Sequence, residues 1–264
     1  MELYLTYFLA LSIGVSLGLT GGGGSILTVP VLVYVAGIAP VIATAYSLFI
    51  VGLTSLVGAS TYYKKGLVNL RMSVIFAIPA FITVWLMRKF VIHAMPEILF
   101  TVGGFTLTKD LFLMLFFAVI MLISGCKMVC GDSENKATVI PQTNYPLVIV
   151  SGIAVGVLSG MVGAGGGFLI VPALVFFMHL PMHKAVGTSL LVIAINSLIG
   201  FTGDVLNLPQ IDWNFLTVFS LIASVGVFLG IYLNKFIHNQ KLQKVFGYFV
   251  FVMAVVILVE ELIL

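Results

Sequence analysis

Ten apolar segments run along this chain, at roughly 3–20, 25–39, 42–62, 72–92, 110–129, 146–162, 168–180, 185–206, 213–234 and 242–264. Their lengths are helical; none shows the alternating strands of about 10 residues that build an outer-membrane barrel. One polar stretch, Gly131-Asp132-Ser133-Glu134-Asn135-Lys136, interrupts the series and begins a linker that ends near Tyr145-Pro146. It divides the chain into 1–130, a linker 131–145, and 146–264, with five segments on each side.

The two halves are copies. From Gly14 to Gly58, about 17 of the 45 positions are identical to those 142 residues later, without a gap. Shared pairs include Gly14/Gly156, Gly18/Gly160, Gly21/Gly163, Gly24/Gly166, Pro30/Pro172, Ser47/Ser189 and Ser55/Ser197. The last two segments of each half correspond by position only.

A glycine run interrupts each copy at the same place: Gly21-Gly22-Gly23-Gly24-Ser25 and Gly163-Ala164-Gly165-Gly166-Gly167. A full span needs about 20 apolar residues. The arms around the first run offer about 17 and 15, roughly 26 and 22 Å at about 1.5 Å per residue, and those around the second are shorter. Each pair predicts a helical hairpin with glycines at its tip, either re-entrant or a pair of short spans. In both cases the ends of the pair lie on one side. Three full spans complete each half, and three is odd, so the second half enters from the opposite face. The expected fold is an all-α membrane protein: a polytopic helical bundle of two inverted-topology repeats, each a Gly-tipped hairpin plus three transmembrane helices.

Composition agrees with a membrane protein. The chain has 264 residues, 61% of them hydrophobic and 8% charged, against about 25% charged in soluble domains. The net charge of +3 comes from basic residues scattered at helix ends, which excludes a nucleic-acid stripe. Lys64, Lys65, Arg71, Lys127, Lys136, Lys184, Lys235, Lys241 and Lys244 fall on one predicted side, and Arg88, Lys89 and Lys109 on the other. By the positive-inside rule the crowded side is cytoplasmic. That places both termini outside an inner (plasma) membrane and the linker inside. Met1-Glu2-Leu3 lacks the basic start of a cleavable signal, and the first apolar run belongs to the repeat. Tyr62, Tyr63, Trp85, Tyr145 and Trp213 sit at segment ends and fit interfacial belts.

The candidate chemistry is anion binding by backbone. The helices that start near Ser25 and Phe168 expose N–H groups at their N-termini, where about half a positive charge resides. Paired helix breaks in matching places point to a transporter site. The expected site is therefore Gly22, Gly23, Gly24 and Ser25 from one tip and Gly165, Gly166 and Gly167 from the other. The following helix of each half adds donors: Ser47 and Thr54 share one face, as do Ser189 and Asn196, with Thr188, Ser55 and Ser197 beside them. The competing account is that the glycines only permit tight turns and that the hydroxyls bond helix to helix. Gly14-x-x-x-Gly18, Gly156-x-x-x-Gly160 and Gly226-x-x-x-Gly230 are expected to let helices approach closely.

No acidic or basic residue falls near the middle of a span. Asp204, His183 and Lys184 lie toward helix ends, and His93 and His179 near interfaces, which argues against a dedicated carboxylate relay. Cys126 and Cys130 are spaced i,i+4 without a neighbouring His, so they are expected to be small apolar residues rather than a metal site. No nucleotide loop is present, since neither glycine run is followed by Lys-Ser/Thr. No cofactor and no metal are expected, and no nucleophile–base pair suggests an enzyme. The expected partners are a small anion and membrane lipid; a coupling proton and a homodimer are both compatible with the sequence.

The glycine run ahead of a Pro30-containing apolar helix, its repeat at Pro172, and Ala185-Val186-Gly187-Thr188-Ser189-Leu190 resemble the sulfite exporter TauE/SafE family over essentially the whole chain. That resemblance implies a secondary transporter exporting a small oxyanion, sulfite or a related organosulfur anion such as a sulfonate, by alternating access. A passive anion channel, or a permease for another small ion, is the alternative. Ala45-Tyr46-Ser47 departs from the Gly187-Thr188-Ser189 of the second copy, a place where Tyr46 would alter pocket size or add a hydroxyl.

Overall fold

The computed structural model describes residues 2–92, 95–96, 98–102, 105–130, 145–162, 167–176, 178, 180–205, 211–237 and 239–263. The linker from 131 to 144 and the tip residues 163–166, with Gly165 and Gly166 among them, lie outside the described residues, as do His93 and His179.

The first half contains α1 (Glu2–Thr20), α2 (Gly23–Pro30), α3 (Pro40–Lys64), α4 (Leu70–Leu86) and α5 (Lys109–Cys130). The second contains α6 (Tyr145–Val162), α7 (Gly167–Phe176), α8 (Met182–Val205), α9 (Trp213–Asn234) and α10 (Asn239–Ile263). The protein is an all-α polytopic membrane protein. Apolar stretches at Ile42–Lys64, Leu70–Val91, Met182–Val205 and Trp213–Asn234 are long enough to cross a bilayer. Helices α5 and α10 are 22 and 25 residues long.

The arms of the first hairpin are less equal than the sequence predicts. The entering arm α1 has 19 residues, roughly 28 Å at about 1.5 Å per residue. The return arm is shorter: α2 has 8 residues and continues as a wide π-type turn over Val31–Val35. Pro30 has no N–H to give to the ladder, and the altered winding begins directly after it. Gly21 ends α1 in the left-handed conformation, φ 74°, and its N–H closes back on Leu17 O at 2.8 Å. This is the αL helix stop that glycine makes without strain.

A second difference is a small β-hairpin between α4 and α5, where the sequence reading assigned no element. Strand β1 (Ile98–Val102) pairs antiparallel with β2 (Phe105–Thr108), with an irregularity between Ile98 and Phe100. The segment is too short and too polar to register as an apolar span, and its alternation covers only a few residues.

Helix packing follows the repeat. Helix α1 packs on α9 and α6 on α4; α3 packs on α8, α5 on α10, and α2 on α7. Helices α3 and α4 also pack on α9 and α8 respectively. Exchanging the two halves leaves this set of partners unchanged. The α1–α9 pair is the tightest kind of contact. A β-carbon on Gly14 would strike Ala223 O and come 3.0 Å from Gly226 Cα, and one on Gly230 would stand 3.0 Å from Gly18 Cα. The two Gly-x-x-x-Gly stretches are therefore each other's partners, backbone on backbone. In the second half the arrangement differs. Gly152, Gly156 and Gly160 of α6 seat the α4 turns that carry Phe76, Ala80 and Val84.

Candidate functional site

The site begins where the two hairpins meet. A β-carbon on Gly167, the first residue of α7, would stand 2.9 Å from Ser25 Oγ and 3.2 Å from Gly22 Cα. The N-terminal turns of α2 and α7 are thus in van der Waals contact. No side chain caps the start of α2: its N-cap is Gly22, and Ser25 Oγ donates to Gly22 O at 2.6 Å. Thr28 hydroxyl likewise donates back to Gly24 O at 2.9 Å. Gly22, Gly24 and Ser25 are all buried.

Helix α8 lies against Gly21 and Gly167. A β-carbon on Gly21 would meet Ser189 Oγ at 2.6 Å and Val186 Cα at 2.8 Å, and one on Gly167 would meet Ile193 Cδ1 at 2.7 Å. Val186, Ser189 and Ile193 lie on one stripe at i, i+3 and i+7, and Asn196 is the next position on it. Asn196 is 1% exposed, and neither its Oδ1 nor its Nδ2 has a hydrogen-bond partner among the described residues. Such a group carries the full penalty of lost hydration until something bonds it.

The other polar residues expected at the site are placed as follows. Ser189 Oγ lies 3.0 Å from Gly21 O and 2.8 Å from Val186 O, so its one proton is shared between two carbonyls and ties α8 to the first tip. Thr54, at the position matching Asn196, donates to Ile50 O at 2.7 Å and so bonds its own helix. Thr188 Oγ1 accepts the N–H of Asn69 at 3.1 Å and joins α8 to the start of α4. Ser47, Ser55 and Ser197 are fully buried, and their hydroxyls have no partner among the described residues. Ser47 matches Ser189, whose partner is Gly21; the matching carbonyl, that of Gly163, lies outside the described residues.

Helices α3 and α8 cross antiparallel. Gly52 abuts Leu198, Gly58 abuts Leu190, and Gly200 abuts Leu48. In each pair the two numbers sum to nearly the same value, so Thr54 and Asn196 fall at matching levels of the two helices.

Contacts that the sequence reading missed hold the first tip in place. Tyr62, expected in an interfacial belt, is 1% exposed, and its hydroxyl donates to Gly18 O at 2.9 Å. A period of 3.6 from Ser55 and Gly58 would have put Tyr62 on the inner face. Asn234 Nδ2 donates to Leu19 O, and Asn234 Oδ1 lies 2.6 Å from His183 Nδ1. Because the Asn234 amide nitrogen is already directed at Leu19, its Oδ1 is the atom that faces His183, and Nδ1 carries the proton between them. Tyr46 contacts the start of α9: its hydroxyl accepts the Asp212 N–H at 2.7 Å, and its ring stacks on Phe215.

These contacts gather the C-terminal ends of α1, α3 and α9 and the N-terminal ends of α4 and α8 at one end of the bundle, with Lys64, Lys65, Arg71, Lys184 and Lys235. Lys89 lies over the Trp85 ring near the C-terminal end of α4. Among the described residues no group of three or more His, Cys, Asp or Glu could hold a metal ion. Cys126 and Cys130 are free and exposed on α5.

The sequence profile of the sulfite exporter TauE/SafE family matches residues 6–257. The chain belongs to this family. A Xylella fastidiosa (strain 9a5c) protein named "probable membrane transporter protein" is 32% identical over 260 residues, 93% of this chain and 91% of that protein. A Bacillus subtilis (strain 168) relative, "probable membrane transporter protein YjnA", is 27% identical over 264 residues, 96% of each chain. A third, from Methanocaldococcus jannaschii and also named a probable membrane transporter protein, is 36% identical over 116 residues, 42% of this chain and 43% of its own. The family and these names identify a multi-pass membrane transporter.

Proposed function

We propose that this TauE/SafE member is a secondary transporter that moves a small oxyanion, sulfite or a related organosulfur anion such as a sulfonate, out of the cell by alternating access. The observation that carries this reading is the contact between the starts of α2 and α7. Two helix N-termini bring their partial positive charges to one buried place, and the atoms nearest Gly21 and Gly167 belong to uncharged residues: Gly22, Ser25, Val186, Ser189 and Ile193. Transporters place ligands at such paired breaks. Backbone and amide donors suit an anion that must also leave, since a buried cation would hold it too tightly.

The exchange-invariant helix pairing supports two inverted repeats around this place. One hairpin would then open to each side of an inner (plasma) membrane. With the lysine-rich end cytoplasmic, both termini lie outside. Expelling an anion from a negative interior releases about 2.3 kcal/mol per charge per 100 mV, so export needs no separate energy source. Close packing of the α2 and α7 starts favours a carrier over an open pore.

The test is counterflow. Proteoliposomes preloaded with sulfite should take up labelled sulfite transiently and saturably. Flux that is linear in concentration, without exchange, would instead establish a passive channel.

A further inference from the structure

Two features of the site bear on which protonation state of the anion it accepts. The first is charge. Each helix N-terminus contributes about half a unit charge, so the α2 and α7 starts together balance about one negative charge. Gly22, Ser25, Gly167, Val186, Ser189, Ile193 and Asn196 add no ionic charge. A doubly charged anion would retain about one uncompensated charge in a dry surrounding, which is strongly unfavourable.

The second is Asn196. It is 1% exposed, both of its polar atoms lack partners among the described residues, and helical spacing puts it on the α8 face of Val186, Ser189 and Ile193, which lie against Gly21 and Gly167. An amide presents one donor group and one acceptor. Its Nδ2 suits an anionic oxygen. Its Oδ1 would repel a bare oxyanion, but it bonds a ligand that brings a hydrogen of its own. At the matching position in α3, Thr54 spends its proton on Ile50 O, so the requirement falls on one side of the site only.

We propose that the site at the starts of α2 and α7 takes a singly charged oxyanion bearing its own hydrogen-bond donor, hydrogensulfite rather than sulfite dianion or sulfate, and that Asn196 is the residue that selects it. This rests on the anion-site reading above. Nδ2 binds an anionic oxygen, and Oδ1 accepts the anion's hydrogen. The proton then travels with the substrate, and the spans need no carboxylate relay of their own.

The experiment uses the purified full-length chain and measures apparent affinity by ligand-dependent thermal stabilisation and by counterflow. The probes are sulfite, which titrates between mono- and dianion near neutrality, methanesulfonate, a permanent monoanion without a donor, and sulfate, a dianion. The expected result is sulfite affinity that falls about tenfold per pH unit on the alkaline side of its titration. Methanesulfonate should bind more weakly and without that pH dependence, and sulfate should not bind. Asn196→Leu should weaken sulfite at least tenfold more than methanesulfonate. Asn196→Ser, which keeps a donor and an acceptor, should retain part of the preference.

Equal affinity for sulfite and methanesulfonate, a flat sulfite profile, or competition by sulfate would overturn the inference while leaving the anion site standing. Binding of none of the three would remove both. If Asn196→Leu does not fold, the wild-type pH series and the methanesulfonate comparison decide the question without it.

Discussion

At the scale of single residues, glycine and one tyrosine set the geometry of the first tip. Gly167→Val would drive a branched side chain into Ser25 and Gly22, where a β-carbon alone is already too close. The variant should be inserted and monodisperse, yet its sulfite counterflow should be lost. Normal counterflow in such a protein would show that the α2 and α7 starts need not touch. Tyr62→Phe removes the hydroxyl that bonds Gly18 O. It should lower stability by about 1 kcal/mol, read as a shift in the unfolding midpoint. The presence of the glycine runs was evident from the sequence; the partners of Tyr62 and Asn234 were not. Both bonds end on backbone carbonyls of α1, 44 and 215 residues away, and nothing in a linear pattern marks which carbonyl a helix stop leaves available.

At the scale of elements, the α1–α9 pair is held by reciprocal backbone contact. Gly14→Leu or Gly226→Leu should each destabilise the protein by about 1–3 kcal/mol through overpacking. Together they should act non-additively, because they fill the same gap. Thermal unfolding of the single and double variants checks this; simple additivity would mean that the helices separate and no longer share the contact. The small-residue spacing was legible in each helix. Its pairing was not, since Gly14-x-x-x-Gly18 could equally have met a turn of Phe, Ala and Val, as α6 does on α4. The β1–β2 hairpin also escaped the pattern, because four or five residues carry too little alternation to stand out in an apolar chain.

At the scale of the molecule, the lysine-rich end is a physical neighbourhood. The Lys65 pKa is lowered, first by desolvation and then by the positive charge of Lys235. Lys235→Gln should raise it, so Lys65 should react more slowly with an amine-acylating reagent at a fixed mildly alkaline pH. An unchanged rate would place the ends of α3 and α9 apart. Sidedness is open to a related test. With Cys126 and Cys130 replaced, Lys65→Cys and Lys235→Cys should react with an impermeant thiol reagent only from the cytoplasmic side, and Thr108→Cys only from outside. Labelling of Lys65→Cys and Thr108→Cys from the same side would overturn the topology.

Pattern along the chain was enough to establish the membrane environment, the helical class, the internal sequence repeat and the family. These follow from hydrophobic length, a fixed repeat offset and local glycine–proline punctuation, all of them short-range along the chain. Three-dimensional packing was needed to show that the starts of α2 and α7 touch, that Ser189 and Thr54 direct their hydroxyls to backbone carbonyls, and that Asn196 has no partner among the described residues. Those outcomes depend on which groups distant in sequence compete for the same few buried donors and acceptors. That competition is settled by how closely helices pack in three dimensions, and no periodicity in one dimension records it.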